Sequence, residues 1–312
     1  MKSFVIWYEG KKDNISLDIH INLWRAEIKS NGKSEYFLDL GLMIEQVSDL
    51  KTINIVFPFK FKRDDFCDLG KVLISDRKIV NAIFNNECNK IDLSEPKKVL
   101  VQNGAEKFHI YSLEDEFNER IVITENKSVS LLAINMDIQD EINSCYIRFR
   151  VQGEGVNSMV EEHKLKFTSF QSAFKITECI DFRLNEKRSI SDDILEKINK
   201  ANEFTIKKVH FLLLIDIDNK LECTGLKYSS RKLEDDIWNN YITEKYKSEN
   251  LIAYHWKEKA EVNKKIESFN SLIRIKIDKC NWVTIFCYVM VVFILNITSN
   301  FLFQGLKNIL NL

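Results

Sequence analysis

Through the first half of the chain, apolar and polar side chains alternate in short runs, the two-residue period of a strand with one buried face. The pattern predicts strands over Phe4–Tyr8, Ile15–Ile21, Leu23–Ile28, Tyr36–Met43 and Ile53–Phe57. Asn31-Gly32 falls between two of them and suits a tight hairpin turn. The spacing then switches to three and four. Phe66, Leu69, Val72 and Leu73 follow Asp64 and Asp65, while Ile79, Val80, Ile83 and Phe84 follow Ser75 and Asp76. Two short helices behind side-chain caps are expected there. Strands resume over Val99–Gln102, Phe108–Ser112, Ile121–Thr124, Val129–Asn135 and Cys145–Val151. Strands in runs with few helices predict an α+β fold with a β-rich body rather than βαβ alternation.

The pattern changes near Asn185, which divides the expected organisation into a β-rich domain or subdomain over 1–185 and an α+β subdomain over 186–279. Ser191, Asp192 and Asp193 open a helix carrying Ile194, Leu195, Ile198 and Ala201. Val209–Asp216 is a strand whose unbroken apolar run, Phe211–Ile215, places it centrally in a sheet, with Leu221–Tyr228 as its expected partner. Ser230 is expected to cap a helix with Leu233, Ile237 and Tyr241 on one face, and Leu251–Trp256 reads as a last strand. Beyond it two periods compete. Val262, Ile266, Phe269 and Ile273 have helical spacing, yet Ile273, Ile275 and Ile277 alternate with Arg274, Lys276 and Asp278.

The strongest signal lies near the C-terminus. Val283–Leu295 is apolar except for Thr284, but as a helix it is only about 20 Å long, short of a hydrocarbon layer of roughly 30 Å. Extension over 282–303 gives about 33 Å, so a transmembrane helix is expected there, followed by a short amphipathic tail over 304–312. Trp282, Tyr288, Phe293 and Phe303 are its expected anchor residues. Lys264, Lys265, Arg274, Lys276 and Lys279 precede it and only Lys307 follows, which orients a single-pass protein with its N-terminal body in the cytoplasm. The brief apolar run Phe4–Tyr8, too short for a signal-peptide core, agrees with that side. On a helical wheel Asn296, Asn300 and Gln304 fall in one arc. Amides are costly against lipid, so this stripe either reaches a headgroup surface or bonds between copies of the helix.

Charge and composition narrow the functional classes. The 45 basic and 46 acidic side chains of the 312 residues nearly cancel, which argues against nucleic acid as a partner. Seven scattered cysteines form no CxxC pair, so zinc-knuckle and dithiol chemistry have no support, and reduced thiols fit a cytosolic body. No Walker, His-Glu-x-x-His or Gly-x-Ser-x-Gly sequence occurs, and no cofactor is implied. The five histidines are far apart in sequence, without metal-ligand spacing, and read as core or surface residues.

Asp216 and Asp218, at the end of an apolar strand, are a weak candidate for a divalent cation in phosphoryl transfer; the competing reading is a hairpin turn. The expectation is therefore a non-enzymatic sensor or binding body on a membrane helix that self-associates. Bacterial anti-phage effectors that disrupt their own membrane share this layout, and layout is the extent of the likeness. The alternatives are a passive anchored scaffold for a cytosolic partner and a metal-dependent enzyme using the two aspartates.

Overall fold

The computed structural model describes residues 3–11, 14–92, 97–114, 120–136, 142–163, 175–223, 227–239, 241–246, 249–278 and 282–309. In chain order the first elements are β1 (Val5–Gly10), β2 (Ser16–Glu27), β3 (Ser34–Glu45), β4 (Leu50–Phe57), β5 (Phe66–Asp68), α1 (Gly70–Ser75) and α2 (Arg77–Phe84). Next come β6 (Cys88–Asp92), β7 (Lys98–Asn103), β8 (Glu106–Tyr111), β9 (Ile121–Asn126), β10 (Val129–Asn135), β11 (Ser144–Val151), α3 (Glu154–Asn157), β12 (Val160–His163) and β13 (Lys175–Leu184). The remainder is α4 (Asp192–Asn199), β14 (Thr205–Asp216), β15 (Lys220–Cys223), β16 (Ser229–Lys232), α5 (Asp235–Trp238), β17 (Leu251–Lys259), β18 (Phe269–Asp278) and α6 (Trp282–Ile309). The fold is α+β: β-rich, with short helices and one long C-terminal helix.

Contacts divide the chain into two units, the first made of Met1–Glu161, Ile180–Ile217 and Cys223–Ile273. Within it lies a ten-stranded sheet in the order β16-β17-β14-β2-β3-β11-β8-β7-β6, with β5 beside β11. The β2–β14 and β8–β11 pairs are parallel. β14 sits between β17 and β2, which accounts for its apolar run. The change of pattern near Asn185 does not divide this sheet, because β2 and β14 lie on either side of that point.

A second sheet, β1-β4-β10-β9, is antiparallel throughout. Ile6 and Ile55 from it, and Ile19, Ile21, Leu40 and Leu42 from the large sheet, line one small apolar gap, so the two sheets share a core. α4 buries Ile194 and Ile198 in a cluster with Val5, Trp7 and Val56 of the second sheet. The other face of the large sheet is covered by Leu73, Ile79 and Val80 of α1 and α2 and by Trp238 of α5, which share a buried cluster with Trp24 and Phe37.

Several local expectations change. Ile15–Ile21 and Leu23–Ile28 are one strand, β2, because Asn22 is buried and continues the ladder. The helix expected behind Asp64 and Asp65 starts later, at Gly70. Asp65 instead accepts from Lys62 N at 2.8 Å in a 3-10 turn, and Asp68 Oδ1 accepts from Gly70 N at 3.0 Å. Asp76 does cap α2, accepting from Lys78 N at 2.8 Å. Ser230 lies in β16, paired with Tyr254 of β17, and α5 starts after Glu234. β14 pairs with β2 and β17, so Leu221–Tyr228 is not its hairpin partner; β15 covers Lys220–Cys223 and 224–226 lie outside the described residues. Phe269–Asp278 resolves as a strand, following the alternation of its isoleucines.

The second unit comprises Glu162–Cys179, Asp218–Glu222 and Arg274–Leu312. Its α6 is one uninterrupted helix of 28 residues. The stretch Ile285–Leu306, 22 residues of mean hydropathy 2.0, is long and apolar enough to cross a membrane, and none of it is buried. Phe293 and Phe303 are exposed at 59% and 69%. The helix runs past Phe303 to Ile309, and residues 310–312 of the expected tail lie outside the described residues.

Candidate functional site

The site is built by strand alternation. β2, β3, β11, β14 and β17 each send one set of side chains away from the helices and the other set beneath them. The first set is apolar: Ile19 and Ile21 on β2, Phe211, Leu213 and Ile215 on β14. The second carries His20 and Asn22, Asp39, Arg148 and Arg150, His210 and His255.

Register brings three of these histidines into a row. His20 stands opposite His210 in the parallel β2–β14 pair, their ring centroids 4.9 Å apart. His255 lies one diagonal away on β17, and its Nε2 is 3.0 Å from His210 Nδ1, with the rings stacked. His20 Nδ1 meets the Tyr146 hydroxyl at 3.2 Å. Tyr146 has room because Gly41 lies in β3 next to it; a Cβ there would fall on the Tyr146 hydroxyl.

From Tyr146 the contacts continue through buried charge. Arg148 donates from Nη1 to the Tyr146 hydroxyl at 2.9 Å and from Nε to the Tyr241 hydroxyl at 2.5 Å. Tyr241 in turn donates to Asp39 Oδ2 at 2.8 Å. Arg150, directly opposite Asp39 in the β3–β11 register, donates to both its oxygens, at 2.7 and 3.1 Å. Trp24 Nε1 completes the shell of Asp39 at 2.8 Å. The Asn22 amide, oriented to satisfy both its ends, accepts from Arg148 Nη2 at 2.8 Å.

Above this network lies a cavity of about 490 Å³, within the range of small-molecule sites. Its floor includes His20, His210 and Arg148; Phe84, Leu212 and Trp238 supply apolar wall; Arg231 and Lys257 are exposed at its edge. Burial, reinforced by neighbouring positive charge, holds His20 well below the ordinary histidine range and brings His210 down to about 4. His255 is lowered by burial and by Lys257 and Arg231. At neutral pH the row is therefore uncharged, able to donate and to accept hydrogen bonds.

The sequence does not announce this cavity, because its three histidines are far apart along the chain. Of the residues that the sequence does single out, Asp216 ends β14 and Asp218 lies in the turn that follows. No group of three His, Cys, Asp or Glu among the described residues is arranged to hold a metal ion. Asn296, Asn300 and Gln304 all lie exposed on α6, four residues apart and so on one face. Tyr288 lies on the same helix, as does Trp282 at its first residue.

No protein-family model matches the chain, and no curated protein matches it. Among solved structures it is similar to an M1 zinc metallopeptidase from Deinococcus radiodurans, at 7% identity over 85% of this chain and 43% of that one, with a TM-score of 0.24. The chain thus spans less than half the length of that protein, and a likeness of this degree carries no argument.

Proposed function

We propose that this chain is a membrane-anchored binding protein, with a cytoplasmic body that receives a small ligand in the histidine-lined cavity and a helix α6 that crosses the bilayer. The observation that carries the anchor is the 22-residue apolar stretch of α6, none of it buried. At 1.5 Å per residue it covers about 33 Å, enough for a hydrocarbon layer of roughly 30 Å. Solvation of so many bare apolar side chains by water is unfavourable, and lipid removes that cost. Orientation rests on the basic residues before the helix, Lys264, Lys265, Arg274, Lys276 and Lys279, against Lys307 after it.

The amide face of α6 extends the reading to self-association. The Thr298 hydroxyl is satisfied within the helix, on the carbonyls of Ile294 and Leu295 at 3.0 Å each. Asn296, Asn300 and Gln304 carry exposed amides on one face of α6, and a second copy offers amide partners in lipid. Several such helices would bring their amides around a polar path, the arrangement a membrane-disrupting effector needs.

Fractionation tests the anchor. The full chain should sediment with membranes, resist alkaline washing and dissolve in detergent, while a chain ending before Trp282 should remain in the supernatant. A soluble full chain, or a truncated chain retained with the membranes, would overturn the proposal.

A further inference from the structure

Resting on the reading of the body as a binding module, we propose that the cavity above His20, His210 and Arg148 is a site for a soluble organic phosphate, its phosphate on the basic floor and edge and its aromatic or apolar remainder against Phe84, Leu212 and Trp238. Charge is the first reason. Arg148 and Arg150, each 1% exposed, share the single carboxylate of Asp39, which is 0% exposed. Arg148 Nη2 lies 3.9 Å from Asp39 Oδ2, while Arg150 takes the close contact at 2.7 Å. The buried cluster thus holds two guanidinium charges against one carboxylate, and an excess buried charge is costly until an anion faces it.

The lining gives the second reason. Among the described residues it contains Arg148, Arg231, Lys257 and three histidines, and no Asp or Glu. Three fixed cations are more than one carboxylate neutralises and suit the two negative charges of a phosphomonoester. Hydrogen bonding gives the third. Of the five N–H groups of Arg148, one goes to Tyr241, one to Tyr146 and one to Asn22, so two are left for a ligand. Trp238, 3% exposed and part of the wall, has an indole Nε1 without a hydrogen-bond partner among the described residues. Ser229 and Ser230 add hydroxyls at the exposed edge. The apolar wall explains the other half of the ligand, since bare inorganic phosphate would leave it wet.

Calorimetry and thermal melting on the full chain in detergent, with phenyl phosphate as probe, test this. Phenyl phosphate should bind and raise the melting temperature, more tightly than inorganic phosphate or phenol. The double variant R231E/K257E changes only exposed edge residues, so its unliganded melting temperature should be no lower than that of the wild type while affinity falls roughly tenfold or more. No binding of phenyl phosphate, or equal affinity in R231E/K257E, overturns the site. Phenol binding as tightly as phenyl phosphate overturns the anion while leaving the body a binding module. Binding of dihexanoyl phosphatidic acid without phenyl phosphate would make the source a lipid headgroup and overturn a soluble ligand.

Discussion

Nδ1 of His210 lies 3.0 Å from Nε2 of His255, so one ring donates to the other, and two protonated imidazoles cannot make that bond. The pair links two adjacent strands, β14 and β17, at the floor of the cavity. Its contribution depends on both strands being buried under the helices, which is also what keeps protons off it.

Stability should therefore fall in mild acid. Burial first, then nearby positive charge, lowers the folded-state values of His20, His210 and His255, with His210 at about 4. The unfolded chain titrates near the ordinary value of about 6.5. Between those values the unfolded state holds more protons than the folded one, so stability present above about pH 6.5 is lost as pH drops toward 4. Thermal melts of the full chain at pH 7.5 and 5.0 should show a lower melting temperature in acid, and His210→Asn should reduce that difference. A pH-independent wild type would mean the histidines are as accessible folded as unfolded.

Asp39 should be the least replaceable residue of the body. Asp39→Asn keeps the shape and the acceptor for Trp24 but leaves Arg148 and Arg150 buried with no carboxylate. Breaking a buried pair from one side costs about 3–5 kcal/mol. Glu35→Gln, which breaks the exposed contact to Lys245, should cost about 1 kcal/mol or less. Denaturant melts of the two variants give the comparison. Similar losses in both would show that Asp39 is not what holds the two arginines in the interior.

Much of the framework is legible in the sequence because burial is periodic. Alternation marks β3, β4, β10 and β11 within a few residues, and the apolar run of Phe211–Ile215 marks β14 as central. Where signals compete, tertiary pairing decides. Ser230 looks like a helix cap, yet β17 recruits it into a strand. Phe66 has helical spacing to its successors, yet it pairs with Val151 in β5. The site escapes for a different reason. In Tyr146-x-Arg148-x-Arg150 and His20-x-Asn22 the polar positions of an alternating strand read as its water-facing side. Here that side is a second interior, closed over by α1, α2 and α5. Nor does any local pattern announce the parallel pairing of β2 with β14, which alone sets His20 beside His210.

The amide face of α6 gives the last expectation. Asn296, Asn300 and Gln304 occupy one face of a mostly apolar helix, and each adds polarity that a passive anchor does not need. If the amides bond between copies, changing all three to Leu removes those bonds while raising hydrophobicity. Interhelical hydrogen bonds in bilayers contribute on the order of 0.5–2 kcal/mol each, so the triple change should shift the monomer–oligomer balance measurably where a single change would not. Membrane insertion should persist or strengthen, because Leu favours the bilayer more than an amide does. Crosslinking in membranes, with sizing in detergent, separates the outcomes. Fewer oligomers at unchanged insertion places the association in these three side chains. Equal oligomer populations in both proteins, or a wild type that is monomeric at membrane concentrations, reduces α6 to an anchor and returns the function of the chain to the residues before it.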